Sequence, residues 1–272
     1  MTQLVIEAGN TELQYWRDLW RYRELFYFLA WRDLLVRYKQ TVVGVGWSII
    51  RPLLTMLVLT IVFGKLGKMP SGGRPYPLLV FCGMLPWQFF STALSESGNS
   101  LVTNSALISK VYFPRLVITV SSVITSFVDF LISSVFIVAL MIWYHQAPTT
   151  KVLFLPGFVL LVFGASFGAS VWISALMVQY RDFRFIVPFV VQFGLYISPV
   201  GFESAVVPQR FRLLYSLNPM VGIIDGFRWS LLGARSIIYW PGIAIAAAEV
   251  FVLIVSGIWY FRKTEQIFAD VI

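Results

Sequence analysis

The sequence predicts an all-α polytopic membrane protein with six transmembrane helices, and three observations carry the prediction. Of its 272 residues, 58% are hydrophobic and only 12% are charged, a balance that belongs to membrane-embedded chains. Its uncharged runs approach the roughly 20 residues that a helix needs to cross a hydrocarbon core about 30 Å thick. The third observation is an apolar stretch, residues 198–233, that is too interrupted to cross. Glu203, Arg210, Arg212, Asp225 and Arg228 divide it, and Pro208 and Asn218-Pro219 punctuate it.

Residues 1–45 read as a cytoplasmic amphipathic segment. Tyr22, Leu25, Phe26 and Leu29 follow helical spacing, and Trp31, Leu34, Leu35 and Tyr38 repeat it further along. The second stripe falls opposite the first, so a bend near Ala30, or a helix held between membrane and partner, is expected. With Arg17, Arg21, Arg23, Arg32, Arg37 and Lys39 the segment reads as an N-terminal amphipathic interface helix. Residues 1–24 lack the apolar core of a cleavable signal peptide, so the first span is expected to direct insertion.

Residues 46–272 form a single transmembrane domain. Span one, about 46–63, holds Arg51-Pro52 in its first turns; at about 8 Å along the axis, Arg51 is shallow enough to snorkel. Span two, 75–95, is uncharged and carries Trp87, Phe89 and Phe90 after Pro86. A polar, helix-compatible loop over 96–115 precedes span three at 116–144, which holds Asp129. Span four, 152–180, carries Gly164 and Gly168 among Ala165, Ser166, Ala169 and Ser170, small residues that permit close helix approach. The link 179–184 leads to span five at 185–200, and span six at 240–261 holds Glu249.

Six spans return both termini to one side. Twelve basic residues fall on that side and eight on the other, so the positive-inside bias puts the termini in the cytoplasm. Residues 198–233 then face outward. Irregular backbone at membrane depth is tolerated only against protein or a wet cavity. The simplest reading has Pro219 at a helix N1 with Asn218 as its cap, and a helix from Met220 to Leu232 ended by Gly233. Two short re-entrant helices over 203–233, beside a path for something polar, are therefore expected between spans five and six.

The formal charge of +8 is accounted for by basic residues beside the spans and by anionic membrane lipid, with no need for nucleic acid. Cys82 is the only cysteine, so no intrachain disulfide and no cysteine-based metal cluster can form. His145 is the only histidine and reads as a plain interfacial residue; no catalytic residue and no metal ligand set can be assembled. No G-x-x-x-x-G-K-[ST] occurs, so the chain lacks a phosphate-cradling loop of its own. Asp129 and Glu249 lie about 20 and 18 Å from the inner ends of their spans and could share a depth. A charged carboxylate there costs several kcal/mol. Two readings follow: a proton or ion relay, or protonated or hydrogen-bonded acids facing the bundle.

Five stretches together resemble one family. They are RDLLVRYKQTVVGVGWSIIRPLLTMLVLTIVFGKL (32–66), YPLLVFCGMLPWQFFSTAL (76–94), NSALISKVYFPRL (104–116), VQYRDFRFIVPFVVQFGLYISPVGF (178–202) and LNPMVGIIDGFRWSLLG (217–233). In order and spacing they are similar to the permease subunits of bacterial type-2 ABC polysaccharide exporters, most of all those for O-antigen of lipopolysaccharide. Gly201-Phe202-Glu203 departs from the family's more usual aliphatic-Tyr-Pro. The resemblance implies a homodimer in the bacterial inner membrane and two separate ATPase subunits that bind ATP and Mg, with no cofactor in this chain. It implies ATPase contacts at Asn104, Lys110, Arg115, Arg181, Asp182 and Arg184, and outer gate helices carrying Asn218, Pro219, Phe227 and Trp229.

The cargo that the resemblance implies is an undecaprenyl-diphosphate-linked polysaccharide such as O-antigen. Capsular polysaccharide and teichoic acid are alternatives within the class; an ion-coupled secondary transporter using Asp129 and Glu249 is the alternative outside it. Phe189, Phe193 and Tyr196 share one face of span five, and Trp87 and Phe90 pair on span two. These rings either fill a core or line a substrate channel, where they stack on sugar faces without a fixed site to trap a moving chain.

Overall fold

The computed structural model describes residues 12–39, 46–233 and 238–268, and the regular structure among them is all helical. Helices α1 (Glu12–Arg21) and α2 (Arg23–Lys39) lead to α3 (Gly46–Leu59), which widens into a π-helical segment over Thr60–Leu66. Then follow α4 (Tyr76–Thr103), α5 (Ser105–Lys110), α6 (Leu116–Trp143), α7 (Leu155–Gln179) and α8 (Phe183–Ile197). Two short helices, α9 (Gln209–Tyr215) and α10 (Pro219–Leu232), precede the last long one, α11 (Trp240–Glu265).

Five segments are long and apolar enough to cross a membrane: Ile49–Leu66, Tyr76–Thr103, Leu116–Trp143, Thr150–Gln179 and Trp240–Glu265. The expected fifth span, α8, is not one of them. Its 15 residues reach about 22 Å, short of a core about 30 Å thick. Pro199 limits it, because the residue before a proline is driven out of the helical region. Ser198 accordingly lies extended, at φ −75° and ψ 150°.

The fold is built around α4, which packs against α3, α6, α7, α8 and α10. In its most apolar window 72% of the residues are buried, against 11% for the segment that contains α3. Its sequence is apolar on every side, and residues 78–87 are buried without a break, as befits the helix at the middle of a bundle. It also continues past the expected end at Ser95. Glu96, which looks like the start of a loop, pairs with Arg37 at 3.1 Å, so its charge does not end the helix.

Glycine sets the seam between α7 and α11. A Cβ added at Gly168 would lie 2.9 Å from the backbone of Leu253 and Ile254, and one at Gly257 would meet the Gly168 carbonyl at the same distance. The small-residue motif thus brings two helices of one chain together.

Of the two expectations for the N-terminal segment, the bend near Ala30 is not found: the break lies at Tyr22, and α2 runs unbroken through Ala30. It runs alongside α6: Ser121 donates to the Phe26 carbonyl at 3.4 Å, and Arg37 pairs with Asp129 two turns further on. Leu29 and Ala30 are buried against the bundle, while Tyr27, Phe28 and Trp31 stay exposed.

The α7–α11 seam can be tested directly. Gly168→Val should lower stability by about 1–3 kcal/mol, since the backbone opposite cannot yield as a side chain can. Gly157→Ala, where an added Cβ meets nothing within 4 Å, should cost nothing. Thermal unfolding of both variants in detergent checks the contrast; equal melting temperatures would remove the seam's role.

Candidate functional site

The bundle has two unlike ends. At the Arg115 end α7 and α11 finish, joined by Tyr260 donating to Gln179 at 2.6 Å. At the Arg74 end α4 begins, and residues 198–232 fold into its mouth. There α10 starts as its sequence indicates: Pro219 sits at N1, the Asn218 side chain accepts from the Met220 amide, and Gly233 closes the helix at φ +80°. Asn218 donates to the Ser198 hydroxyl at 2.9 Å, and Tyr215 donates to the Ile197 carbonyl at 2.8 Å. These bonds tie the α9–α10 corner to the C-terminus of α8, where helical carbonyls run out of partners.

Arg228 holds this mouth together. It is only 2% exposed, and its guanidinium donates to the carbonyls of Phe202 (2.7 Å), Val200 (2.8 Å) and Leu79 (3.2 Å). A Cβ at Gly83 would lie 2.6 Å from the Arg228 Nη2, so glycine on α4 leaves room for the group. Around it, Ser204 donates to Asp225, and the buried Arg74 lies 3.6 Å from Glu203. Sequence reasoning counted Arg228 only as an interruption. The available signal was a lone arginine inside an apolar helix, which has to find acceptors there.

The four gate residues are all engaged. Asn218 and Pro219 form the cap; Phe227 is buried edge-on to Phe130 at 6.2 Å; and Trp229 lies 5.5 Å from Phe154 and 5.8 Å from Trp240, with the Lys151 ammonium 4.7 Å from its ring.

The aromatic set divides. Phe189, Phe193 and Tyr196 are exposed together on α8, the first two stacked at 5.7 Å. The sequence groups Trp87 with them, but its ring is only 6% exposed and fills the space beside Gly194. Trp87 wedges α4 against α8, because the missing side chain at Gly194 admits an indole. Phe90, half-buried, packs on Trp87 at 5.8 Å.

Midway along the bundle Asp129 is a hydrogen-bonded acid. Arg37 and the Tyr38 hydroxyl donate to its two oxygens, and Arg37 also reaches Glu96. A cavity of about 320 Å³ opens beside them, walled also by Trp47, Arg51 and Gln88. Arg51, exposed on α3, shares the wall of that cavity with Asp129. Glu249 faces other neighbours, on a helix packed against α7 and α10. Its Oε2 is buried and has no hydrogen-bond partner among the described residues.

At the Arg115 end two of the expected contact residues are occupied within the chain. Asn104 accepts from Arg32 at 2.9 Å and donates to the Ser100 carbonyl at 2.8 Å. The Arg115 amide donates to Glu265 Oε1 at 2.7 Å, and its guanidinium donates to the Glu265 carbonyl. Close by, burial and then the charge of Glu265 raise the Tyr15 hydroxyl above its ordinary range. Lys110, Arg181, Asp182 and Arg184 are exposed, as are Val111 and Tyr112.

With that geometry in view, the similarities of the chain are informative. The family described as "ABC-2 type transporter" matches residues 24–232. The O-antigen export system permease protein RfbA of Myxococcus xanthus is 29% identical over 252 residues, which cover 92% of this chain and 96% of that protein. A protein of the same name from Klebsiella pneumoniae is 28% identical over 252 residues, covering 92% and 95% respectively.

The mouth yields a stability prediction. Arg228→Met leaves the Val200 and Phe202 carbonyls buried without a donor, at about 1–3 kcal/mol each. The variant should unfold at clearly lower temperature in detergent, and Arg228→Lys should fall between, since an ammonium cannot span three planar acceptors. Unchanged melting of Arg228→Met would show that the mouth is held by something else.

Proposed function

The chain belongs to the ABC-2 type transporter family, and from that premise we propose that it is the permease subunit of an ATP-driven exporter of lipid-linked polysaccharide, O-antigen in the first instance. The observation that carries this reading is similarity to O-antigen export permeases along 92% of the chain. The exporter sits in the bacterial inner membrane, with the Arg115 end in the cytoplasm. Deleting the gene in its native host should strip the surface of the cargo glycan and leave an undecaprenyl-diphosphate-linked glycan inside the cell. Unchanged surface glycan after deletion would sink the reading, and the lipid that accumulates identifies the cargo.

Six crossings are part of the proposal. The fifth begins with α8 and is finished by the irregular chain after it: the Gly201 carbonyl accepts from Tyr76 at 2.6 Å, and Glu203 reaches Arg74. Two faces are thinly covered in the protomer, α3 with Leu54, Leu57, Val58 and Ile61 exposed, and α8 with its aromatic row. A second copy of the chain covers the first kind of surface, and the α8 rings line the conduit, which α9 and α10 close at the outer side. Two ATPase subunits, which bind ATP and Mg, dock on the cytoplasmic end against Lys110, Arg181, Asp182 and Arg184. Asn104 and Arg115 act one step behind, fixing the loop and the start of α6.

Coupling is testable at the short link before α8. Replacing Arg181 and Asp182 by alanine should uncouple ATP hydrolysis from export while insertion stays normal; full export with normal ATPase stimulation would count against the contact. The conduit is testable by single cysteines in a Cys82→Ser background. Cysteines at Phe189, Phe193 and Tyr196 should react with a water-soluble thiol reagent during transport, and one at the buried Val187 should not. Protection of all three exposed positions would place the row against lipid or a partner helix.

A further inference from the structure

The polar cavity at mid-bundle is used neither by the mouth, nor by the aromatic row, nor by the ATPase-facing end. We infer that it binds one sugar ring, the ring nearest the lipid on a lipid-linked glycan; the carrier, though not the sugar chemistry, rests on the export reading above.

Size is the first argument. About 320 Å³ lies at the lower end of small-ligand pockets, which run from about 300 to 1,000 Å³. That is room for a ring.

Charge is the second. Arg37 sits between Asp129 and Glu96, and Arg51 adds a second guanidinium to the same walls. Two cations and two carboxylates balance. A metal ion seeking the carboxylates meets Arg37, and an anion seeking Arg51 meets the carboxylates. A ring of hydroxyls suits both, because each hydroxyl donates and accepts.

The third argument is what the protein leaves unbonded. Among the described residues the Arg51 guanidinium and the Gln88 side-chain amide have no hydrogen-bond partner. Gln88 is half-buried and Arg51 exposed toward the cavity, so both groups are open to a ligand, and a polar group shielded from water gains by bonding one. Trp47, 48% exposed on the same wall, adds a flat apolar surface for the C–H face of a sugar. A fixed site of this kind suits a terminal ring engaged once per polymer, whereas repeat units have to slip past.

The test is equilibrium binding of radiolabelled lipids to the purified full chain in nanodiscs. Undecaprenyl-diphosphate-linked N-acetylglucosamine is compared with undecaprenyl diphosphate and with free N-acetylglucosamine as competitor. The wild type should prefer the sugar-bearing lipid. Gln88→Leu and Trp47→Leu should each weaken that lipid by roughly five- to tenfold, as loss of one ligand contact does, and leave undecaprenyl diphosphate unchanged. Trp47→Phe, which keeps a ring, should restore the preference and so separate stacking from misfolding. If the leucine variants bind the sugar-bearing lipid like the wild type, or weaken both lipids equally, the cavity is not a sugar site and the export reading stands. A wild type that binds neither lipid sinks both. Competition by free sugar at the concentration of the lipid-linked one overturns the lipid-linked ligand.

Discussion

A single buried guanidinium makes the broken end of this bundle possible. Where α8 stops, the chain continues without helical hydrogen bonds among apolar neighbours, and each free carbonyl there needs a donor. Arg228 supplies donors to two of those carbonyls and to a third on α4. Arginine suits the task because its five N–H groups lie in one plane and it stays charged under all ordinary conditions. Its burial is offset by those bonds, and Gly83 opens the space it occupies. The direction of α10 and the path of the turns that follow α8 are consequently set together.

How much of this was legible follows from what sequence patterns report. Long apolar runs report spanning helices, and five of them stand as such. The start of α10 was legible because a cap is local chemistry, an Asn-Pro step with the next amide two residues on. Close packing at Gly164 and Gly168 was legible for the same reason, though which helix would receive it was not. Long-range partners were the blind spot. Glu96 reads as a loop until Arg37, far away in sequence, is seen beside it. Arg51 and Asp129 read as unrelated until one cavity is found between them, and Trp87 reads as a wall until Gly194 is found facing it. Arg228 was visible as a charge and invisible as a device, since nothing local names three backbone carbonyls from two distant segments.

The polar groups at the mouth and those at mid-bundle are used differently. At the mouth the polar groups answer one another: Arg228 and the carbonyls, Ser204 and Asp225, Arg74 and Glu203. Such a set stabilises one arrangement and offers a passing molecule little. At mid-bundle the pairing stops halfway. Arg37 and Tyr38 tie α2 to Asp129, while Arg51 and Gln88 on the opposing helices complete no bond among the described residues. If the cavity served only to anchor α2, the Arg37 pairs would suffice, and the remaining positions would be better filled by leucine, which costs nothing in a membrane. The polar groups facing one half-open cavity are therefore the feature that anchoring does not explain, and a polyhydroxylated ligand is the chemistry proposed for them.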